Sequence, residues 1–354
     1  MGSPTMLTTV KKVAADSPNV QMKESFADVI YNLSPTDTPF TSMCKRESIS
    51  AIEIGWFADK LSDATVPAGI AEGADAPVGN YEEVKRVMNL TQIFMKSVKV
   101  SNTAESVDFY GRKSEMAYQM TKKSQELKRD IEATLCGKAR KPRGGYFSSL
   151  VATTPGGVTT NSGGPDDTIR EMSNFKYQVI NNPLNAGGPA RTVVDAGFVA
   201  VSEKLINDLM EKVWLVGGNA KTALVTSGMA NSIAKMALTG NSTGGAARYR
   251  DIGQEKKLVN VVDVYVTPFG EMKIGLSRWL NYGDGPTGGP PATATGADDI
   301  ILIDPKYISL AYLRQPNTTS IPQIGDREEK LLTTELTFKL TAPDGCGLLT
   351  NVKL

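Results

Sequence analysis

Apolar residues near the start of the chain recur at helical spacing and predict a short amphipathic helix that ends in a rigid turn. They are Met22, Phe26, Val29, Ile30 and Leu33. Pro35, in the stretch SPTDTPF (34–40), cannot continue that helix, and Pro39 fixes a second φ angle. Phe40 offers a side chain for burial. Because the turn is close to the N-terminus, we expect it to add little to the core and to set the direction of the preceding segment.

Two stretches with apolar residues at alternate positions predict a protruding two-stranded arm. The first is AIEIGWFA (51–58), and the second is VKRVMNLTQIFMKSVKV (84–100). Residues 59–83 between them are rich in Gly, Ala, Pro, Asp and Glu and show no sustained period. A loop of that length inside a compact domain is usually functional or disordered.

From about residue 105 to 138 the pattern becomes helical. One apolar stripe contains Met116, Met120, Leu127, Ile131 and Leu135, and charged residues occupy much of the remaining surface. About 30 residues at 1.5 Å each predict a rod of roughly 45 Å. Such a narrow stripe indicates a helix that lies across one sheet and leaves its other faces free for solvent or partners.

A second compact unit is predicted between two segments rich in Gly, Pro and Thr, which span 139–168 and 281–299. Its predicted elements are helices near 199–214 and 228–238, a strand at 222–226, and a hairpin over 261–277 that turns at Pro268–Gly270. The final stretch is rich in strands that we expect to rejoin the long helix. The sequence therefore predicts an α+β protein.

Composition excludes several classes of protein. The 354 residues carry 39 basic and 38 acidic side chains, so the whole-chain charge gives no general attraction to nucleic acid or membrane. No apolar run approaches the roughly 20 residues of a membrane span, and the first residues do not resemble a signal peptide, so we expect folding in a cytosol. The three cysteines are far apart, and the absence of histidine rules out a Ser-His-Asp triad.

No motif in the chain predicts a catalytic residue, a cofactor site or a metal site. GGNAKT (217–222) lacks the Gly-Lys pair of a phosphate-binding loop, and a loop between helix and strand is the preferred interpretation. The cluster Lys138, Arg140, Lys141 and Arg143 could contact phosphates, end a helix in solvent or contact another protein. Acidic pairs such as Glu82 with Glu83 lie in loops and are interpreted as solvated.

Two segments resemble a known family. ESFADVIYNLSPTDTPF (24–40) is similar to the opening signature of the SU10 major head protein family. IGDREEKLLTTELTFKL (324–340) is similar to its closing segment, in which a Gly-Asp turn precedes a strand with a glutamate, here Gly325, Asp326 and Glu335. The order of arm, hairpin, long helix, inserted unit and returning strands also resembles the Hong Kong 97 fold of tailed-phage capsid proteins.

The resemblance implies a domain organisation. The implied parts are an N-arm at 1–47, an extended β-hairpin loop at 48–103, a peripheral domain with a long spine helix at 104–149 and 300–354, and an axial domain at 150–299.

The resemblance also implies a function without catalysis or cofactor: a major capsid protein whose hexamers and pentamers build an icosahedral shell around phage double-stranded DNA. The implied partners are a portal, a cement protein and a separate scaffolding protein, with DNA contacted non-specifically and no membrane. Because no scaffolding domain precedes Met1, the alternative to a separate scaffolding protein is a mature chain that has been trimmed. The implied location is the virion capsid, after assembly in the host cytoplasm. A bacterial nanocompartment shell of the same fold and a histidine-free carboxylate-based hydrolase are the alternatives.

Opposite charges on the loop and the helix indicate either a contact between subunits, as the resemblance implies, or two independently solvated faces. Residues 59–83 contain six acids and one lysine, a net charge of −5, whereas 112–143 contain ten bases and four acids, a net charge of +6. In the resembled fold the extended loop crosses a neighbour's peripheral domain. The predicted intersubunit residues are Glu72, Asp75, Glu82 and Glu83 on the loop, Lys122, Lys123, Lys128 and Arg129 on the helix, and Pro35 and Phe40 at the corner.

Overall fold

The computed structural model describes residues 34–61, 66, 69–73, 75, 84–107, 113–142, 169–185, 191–238, 264–281, 297–322 and 325–353. The helix predicted around Met22–Leu33 lies outside these residues, as do Glu82, Glu83 and Arg143.

The described chain contains both helices and strands. The helices are α1 (Pro39–Met43), α2 (Asn102–Ser106), α3 (Glu115–Cys136), α4 (Phe175–Ile180), α5 (Glu203–Leu215) and α6 (Ser227–Leu238). The strands are β1 (Lys45–Ser48), β2 (Glu53–Ala58), β3 (Lys85–Leu90), β4 (Gln92–Ser101), β5 (Val193–Asp195), β6 (Thr222–Val225), β7 (Val264–Thr267), β8 (Gly270–Leu276), β9 (Ala297–Ile303), β10 (Ile308–Ile321), β11 (Arg327–Leu340) and β12 (Gly347–Lys353). Short 3-10 turns span Pro183–Asn185 and Pro343–Gly345.

These strands form three sheets. The first has the order β1-β10-β11-β4, the second has the order β5-β12-β9-β6-β8-β7, and β2 and β3 form a separate two-stranded hairpin. In the first sheet β1 runs parallel to β10, while β10, β11 and β4 are antiparallel. The elements α5, β6, α6 and the β7–β8 hairpin confirm the helices, strand and hairpin predicted for the second compact unit.

The returning strands join both large sheets. β10 and β11 belong to the first sheet, but β12 pairs with β5 and β9 pairs with β6 in the second. Residues 300–354 therefore contribute strands to both large sheets, and the expected boundary at 299/300 falls inside β9. The cause is the apolar sequence of β9 and β12, which pair with each other and are buried within the second sheet.

The two large sheets share one apolar core. Buried Leu224 and Ile301 of the second sheet pack in the same cluster as Leu310 and Phe338 of the first. The cluster also contains Leu127, Ile131 and Leu135 of the α3 stripe.

The long helix is shorter than its sequence pattern predicts. It begins at Glu115 because the side chain of Ser114 accepts a hydrogen bond from Ala117 N (3.1 Å) and so caps the first turn. Asn102–Ser106 form the separate helix α2, capped by Ser101. The 22 residues of α3 correspond to roughly 33 Å at 1.5 Å per residue, in place of the expected 45 Å. The predicted stripe is confirmed, with Met120 half-buried and the other four residues buried.

The second strand of the predicted arm is divided at Thr91. β3 pairs with β2 from Glu53↔Leu90 to Ala58↔Lys85, whereas β4 leaves the hairpin and pairs with β11. The expectation of one strand over 84–100 is therefore wrong. The alternation of apolar residues continues through the break, so periodicity alone did not reveal it.

Candidate assembly site

Side-chain hydrogen bonds join the body of the subunit to the corner before α1 and to the root of the β2–β3 hairpin. At the corner, Phe40 is fully buried, and its ring centroid lies 5.7 Å from those of both Phe175 and Phe338. The expectation that this turn adds little to the core is therefore wrong, because Phe40 belongs to the largest cluster. Its side chain is not available for an intersubunit contact, whereas Pro35 is exposed and its assembly role stays a prediction.

Glu132 of α3 caps the first turn of α1. Its carboxylate oxygens accept hydrogen bonds from Phe40 N (2.7 Å), from Thr41 N (2.8 Å) and from the Thr41 hydroxyl. Burial raises the pKa of Glu132, while the bonds from Thr41 and Phe40 act in the opposite direction. The N–H groups at the start of a helix have no partner within it, so this buried carboxylate satisfies them from a distant helix.

Trp279 provides a second attachment for the corner. Its indole Nε1 donates to the Asp37 carbonyl oxygen (2.7 Å), and the Arg129 guanidinium carbon lies 5.4 Å from the centre of the same ring system. A cation above an indole face is attracted by the ring's quadrupole. Arg129 therefore packs within its own subunit at the site where sequence reasoning placed an intersubunit contact.

At the hairpin root, the buried side chain of Asn89 joins three segments. Its Nδ2 donates to the Phe338 carbonyl oxygen (2.6 Å) and to the Ser173 carbonyl oxygen (3.2 Å), and its Oδ1 accepts from Ser173 N (2.9 Å). At the strand break, Thr91 N donates to the Ile52 carbonyl oxygen (2.9 Å), which closes the base of the hairpin. The direction of the hairpin is thus set by hydrogen bonds to β11 and to the segment before α4.

Glu335 of β11 is the charged centre of this root. Its carboxylate accepts from Thr91 Oγ1 (2.8 Å), Arg170 Nη2 (2.7 Å) and Arg314 Nε (2.8 Å). Glu335 is almost fully buried, while the Arg314 side chain is 54% exposed. The pairing of β10 with β11 shifts register on both sides of Arg314, which fits a strand that bends where the hairpin joins the sheet.

The hairpin and its loop present large apolar side chains to solvent. Phe57 is 74% exposed and Val66 is 98% exposed, and Leu61 and Ile70 are exposed as well. Trp56, the neighbour of Phe57, is buried. An apolar surface that the subunit does not cover is typical of a protein–protein contact.

The predicted charges are only partly available for partners. Glu72 and Asp75 are exposed on the loop, and Lys122 and Lys128 are exposed on α3. Lys123 already pairs with Glu126 of the same helix (2.7 Å). A groove of about 310 Å³ lies between β4 and α3, and its polar lining residues are Ser97, Lys99, Ser101, Glu115, Gln119 and Lys123. Lys123 is the base that α3 contributes to this lining.

Sequence reasoning missed Glu132, Asn89, Thr91 and Arg170, and it quoted Glu335 without a role. The sequence held one signal for Glu132. It stands next to Ile131 of the apolar stripe and one helical turn before the apolar Cys136, and the structure buries Glu132 and Cys136 together with the stripe.

None of the helices in the described ranges is long and apolar enough to cross a membrane.

Comparisons with known proteins bear on this geometry. The family model described as SU10 major capsid protein matches residues 4–353. The major capsid protein of Escherichia phage Phieco32 is 28% identical over 350 residues, which cover 92% of this chain and 93% of that protein.

Solved structures show the same fold at low sequence identity. The capsid of the native GTA particle matches with a TM-score of 0.55 and 12% identity, over 94% of this chain and 96% of that chain. The SrpI encapsulin of Synechococcus elongatus PCC 7942 matches with a TM-score of 0.53 and 10% identity, over 94% of this chain and 93% of that chain. The predicted α+β architecture of the Hong Kong 97 type is confirmed.

Proposed function

The chain belongs to the SU10 major capsid protein family, and from that premise we propose how its copies meet in the shell. It is a phage major capsid protein, which self-assembles into the capsid and is located in the virion. We propose that the exposed hairpin of one copy lies across α3 and β4 of the next, with the acidic loop at the groove beside Lys122 and Lys123.

The observation that carries this proposal is the hairpin itself. Its root is fixed by buried hydrogen bonds and an ion-pair network, while residues beyond the root expose large apolar side chains. A rigid root with an uncovered apolar extension fits an element that binds outside its own subunit.

Charge complementarity supports the choice of partner surface. Exposed ion pairs contribute about 0.2–1 kcal/mol each and are screened beyond roughly 10 Å at 0.1 M salt. Such pairs act mainly on the rate and register of encounter, whereas the apolar residues of the hairpin supply the lasting contact.

The test reverses the loop charges. The double variant Glu72→Lys with Asp75→Lys is expected to fold normally and to assemble more slowly at low salt, as followed by light scattering and negative-stain imaging. The control Glu211→Lys with Glu271→Lys makes the same charge change on exposed residues of α5 and β8.

Rescue identifies the partner surface. Lys122→Glu with Lys128→Glu in the loop variant should restore part of the rate. These two lysines are preferred over Lys123 and Arg129, whose contacts within the subunit would confuse the result. Equal rates for the loop variant and its control would contradict the proposed contact.

Further partners belong to the same proposal. We expect hexamers and pentamers in an icosahedral lattice, a separate scaffolding protein, a portal, a cement protein, non-specific contact with packaged double-stranded DNA, and assembly in the host cytoplasm without catalysis. The encapsulin likeness, at 10% identity, reflects the shared fold and does not favour a nanocompartment shell. Purified particles that contain double-stranded DNA would support the proposed contact with the packaged genome.

A further inference from the structure

The turn after β5 holds a phenylalanine in a backbone conformation that disfavours it. Val199 N donates to the Ala196 carbonyl oxygen (3.2 Å), and the two central residues, Gly197 and Phe198, have φ angles of 60° and 61°. Two consecutive positive φ angles are typical of a type I′ turn, in which Gly, Asn and Asp are preferred. A bulky residue at positive φ is a genuine outlier, so glycine or asparagine would suit the second position better.

Hydrogen bonds to β12 hold this turn in place. They run from Ala196 N to Thr350 O (2.9 Å), from Phe198 N to Asn351 O (2.9 Å) and from Lys353 N to Val199 O (3.0 Å). The Asp195 carboxylate also accepts from Gly197 N (2.9 Å) and from Asn351 Nδ2 (3.0 Å). The turn is therefore a defined projection from the second sheet.

Contacts within the subunit do little to offset this backbone strain. Phe198 is 58% exposed and Val199 is 59% exposed, so much of their apolar area still faces solvent. Strained backbone persists where the surrounding structure imposes it, and it is concentrated at functional sites. A fixed, exposed aromatic side chain is also the kind of residue that dominates the free energy of protein–protein contacts.

We propose that Phe198, together with Val199, is an intersubunit anchor that packs against an apolar surface of a second copy of this chain. The inference rests on the proposed function, because a shell built from copies of one chain surrounds each copy with others. The hydrogen-bonded turn presents the ring already oriented, which lowers the entropy cost of the contact.

Two substitutions of Phe198 test the effect of its ring separately from the effect of its strained backbone. Phe198→Asn removes the ring and suits positive φ, whereas Phe198→Tyr keeps both the ring and the strained backbone. For each variant we would measure the urea midpoint of the unassembled subunit and the critical concentration for shell formation. The Asn variant should have a midpoint equal to or above that of the wild type and a critical concentration about tenfold higher or more. The Tyr variant should resemble the wild type in both.

Each contrary result has a distinct meaning. Unchanged assembly of the Asn variant would overturn the anchor. A lowered urea midpoint would show that another segment of the same chain covers the ring, which would also overturn it. If the wild-type chain forms no shells either alone or with a scaffolding protein, the proposed function fails together with this inference. If it forms shells and only the Asn result is contrary, the inference alone fails.

Discussion

Glu132 and Glu335 are both almost fully buried, yet their carboxylates are held by different partners. Glu132 accepts from two backbone N–H groups and a hydroxyl of the corner. Glu335 accepts from a hydroxyl and from two guanidinium groups at the hairpin root. Neutral donors leave a buried charge to be stabilised by dipoles alone, whereas arginines neutralise it. The corner is thus a helix-capping connection, and the hairpin root is an ion-pair connection.

The largest expected effect is at the corner. Phe40→Ala should lower the unfolding free energy of the unassembled subunit by about 3–5 kcal/mol, because it removes a ring from the main core cluster. Urea unfolding measures this change. Pro35→Gly is the matched exposed control and should change the same quantity by less than about 1 kcal/mol. A small effect of Phe40→Ala would mean that the corner is not part of the core.

The hairpin root should show the next largest effect. Glu335→Ala leaves two guanidinium groups and the Thr91 hydroxyl without their acceptor. We expect a loss of about 2–3 kcal/mol, below the range for fully buried pairs because Arg314 is half exposed. Urea unfolding measures this loss as well. Arg314→Ala should cost clearly less than Arg170→Ala, since solvent reaches Arg314 more easily; the opposite order would contradict this account of the root.

The pH dependence of stability tests the capping connection at the corner. Burial raises the pKa of Glu132 above its ordinary value of 4.5, so the folded subunit binds this proton more readily than the unfolded chain. The stability contributed by this group is fully present below the unfolded pKa and is lost as pH rises through the folded pKa. The free energy of unfolding of the wild type, relative to Glu132→Gln, should therefore fall as pH rises from 4.5. A rise over that interval would contradict the assigned cause.

The smallest effect belongs to the outer face of α3. Lys122→Ala should change the unfolding free energy by less than about 0.5 kcal/mol, because Lys122 is exposed. Any change in assembly rate caused by this variant can then be assigned to contacts between subunits. A loss comparable to that of Phe40→Ala would mean that the assigned exposed face of α3 is wrong.

Sequence patterns were sufficient for elements that depend on local periodicity. The α3 stripe, the β7–β8 hairpin and the returning strands were predicted because their apolar spacing matches one helix or strand face. The resemblance of residues 24–40 and 324–340 to known segments indicated the family, which periodicity alone could not do.

The anchoring contacts were not predictable because they join distant residues. Glu132 bonds Phe40 across 92 positions, and Thr91 bonds Glu335 across 244. No local pattern records such a pairing. The strained Phe198 was equally hidden, because a type I′ turn is normally recognised from Asn and Gly.

The shared core of the two large sheets has a mechanical consequence. Close-packed interiors resist deformation, and this one extends from Leu310 of the first sheet to Ile301 of the second. We expect the subunit body to be stiff and to keep its shape under internal pressure. Changes in shell curvature would then arise from rotation at the interfaces between subunits and from bending of the hairpins.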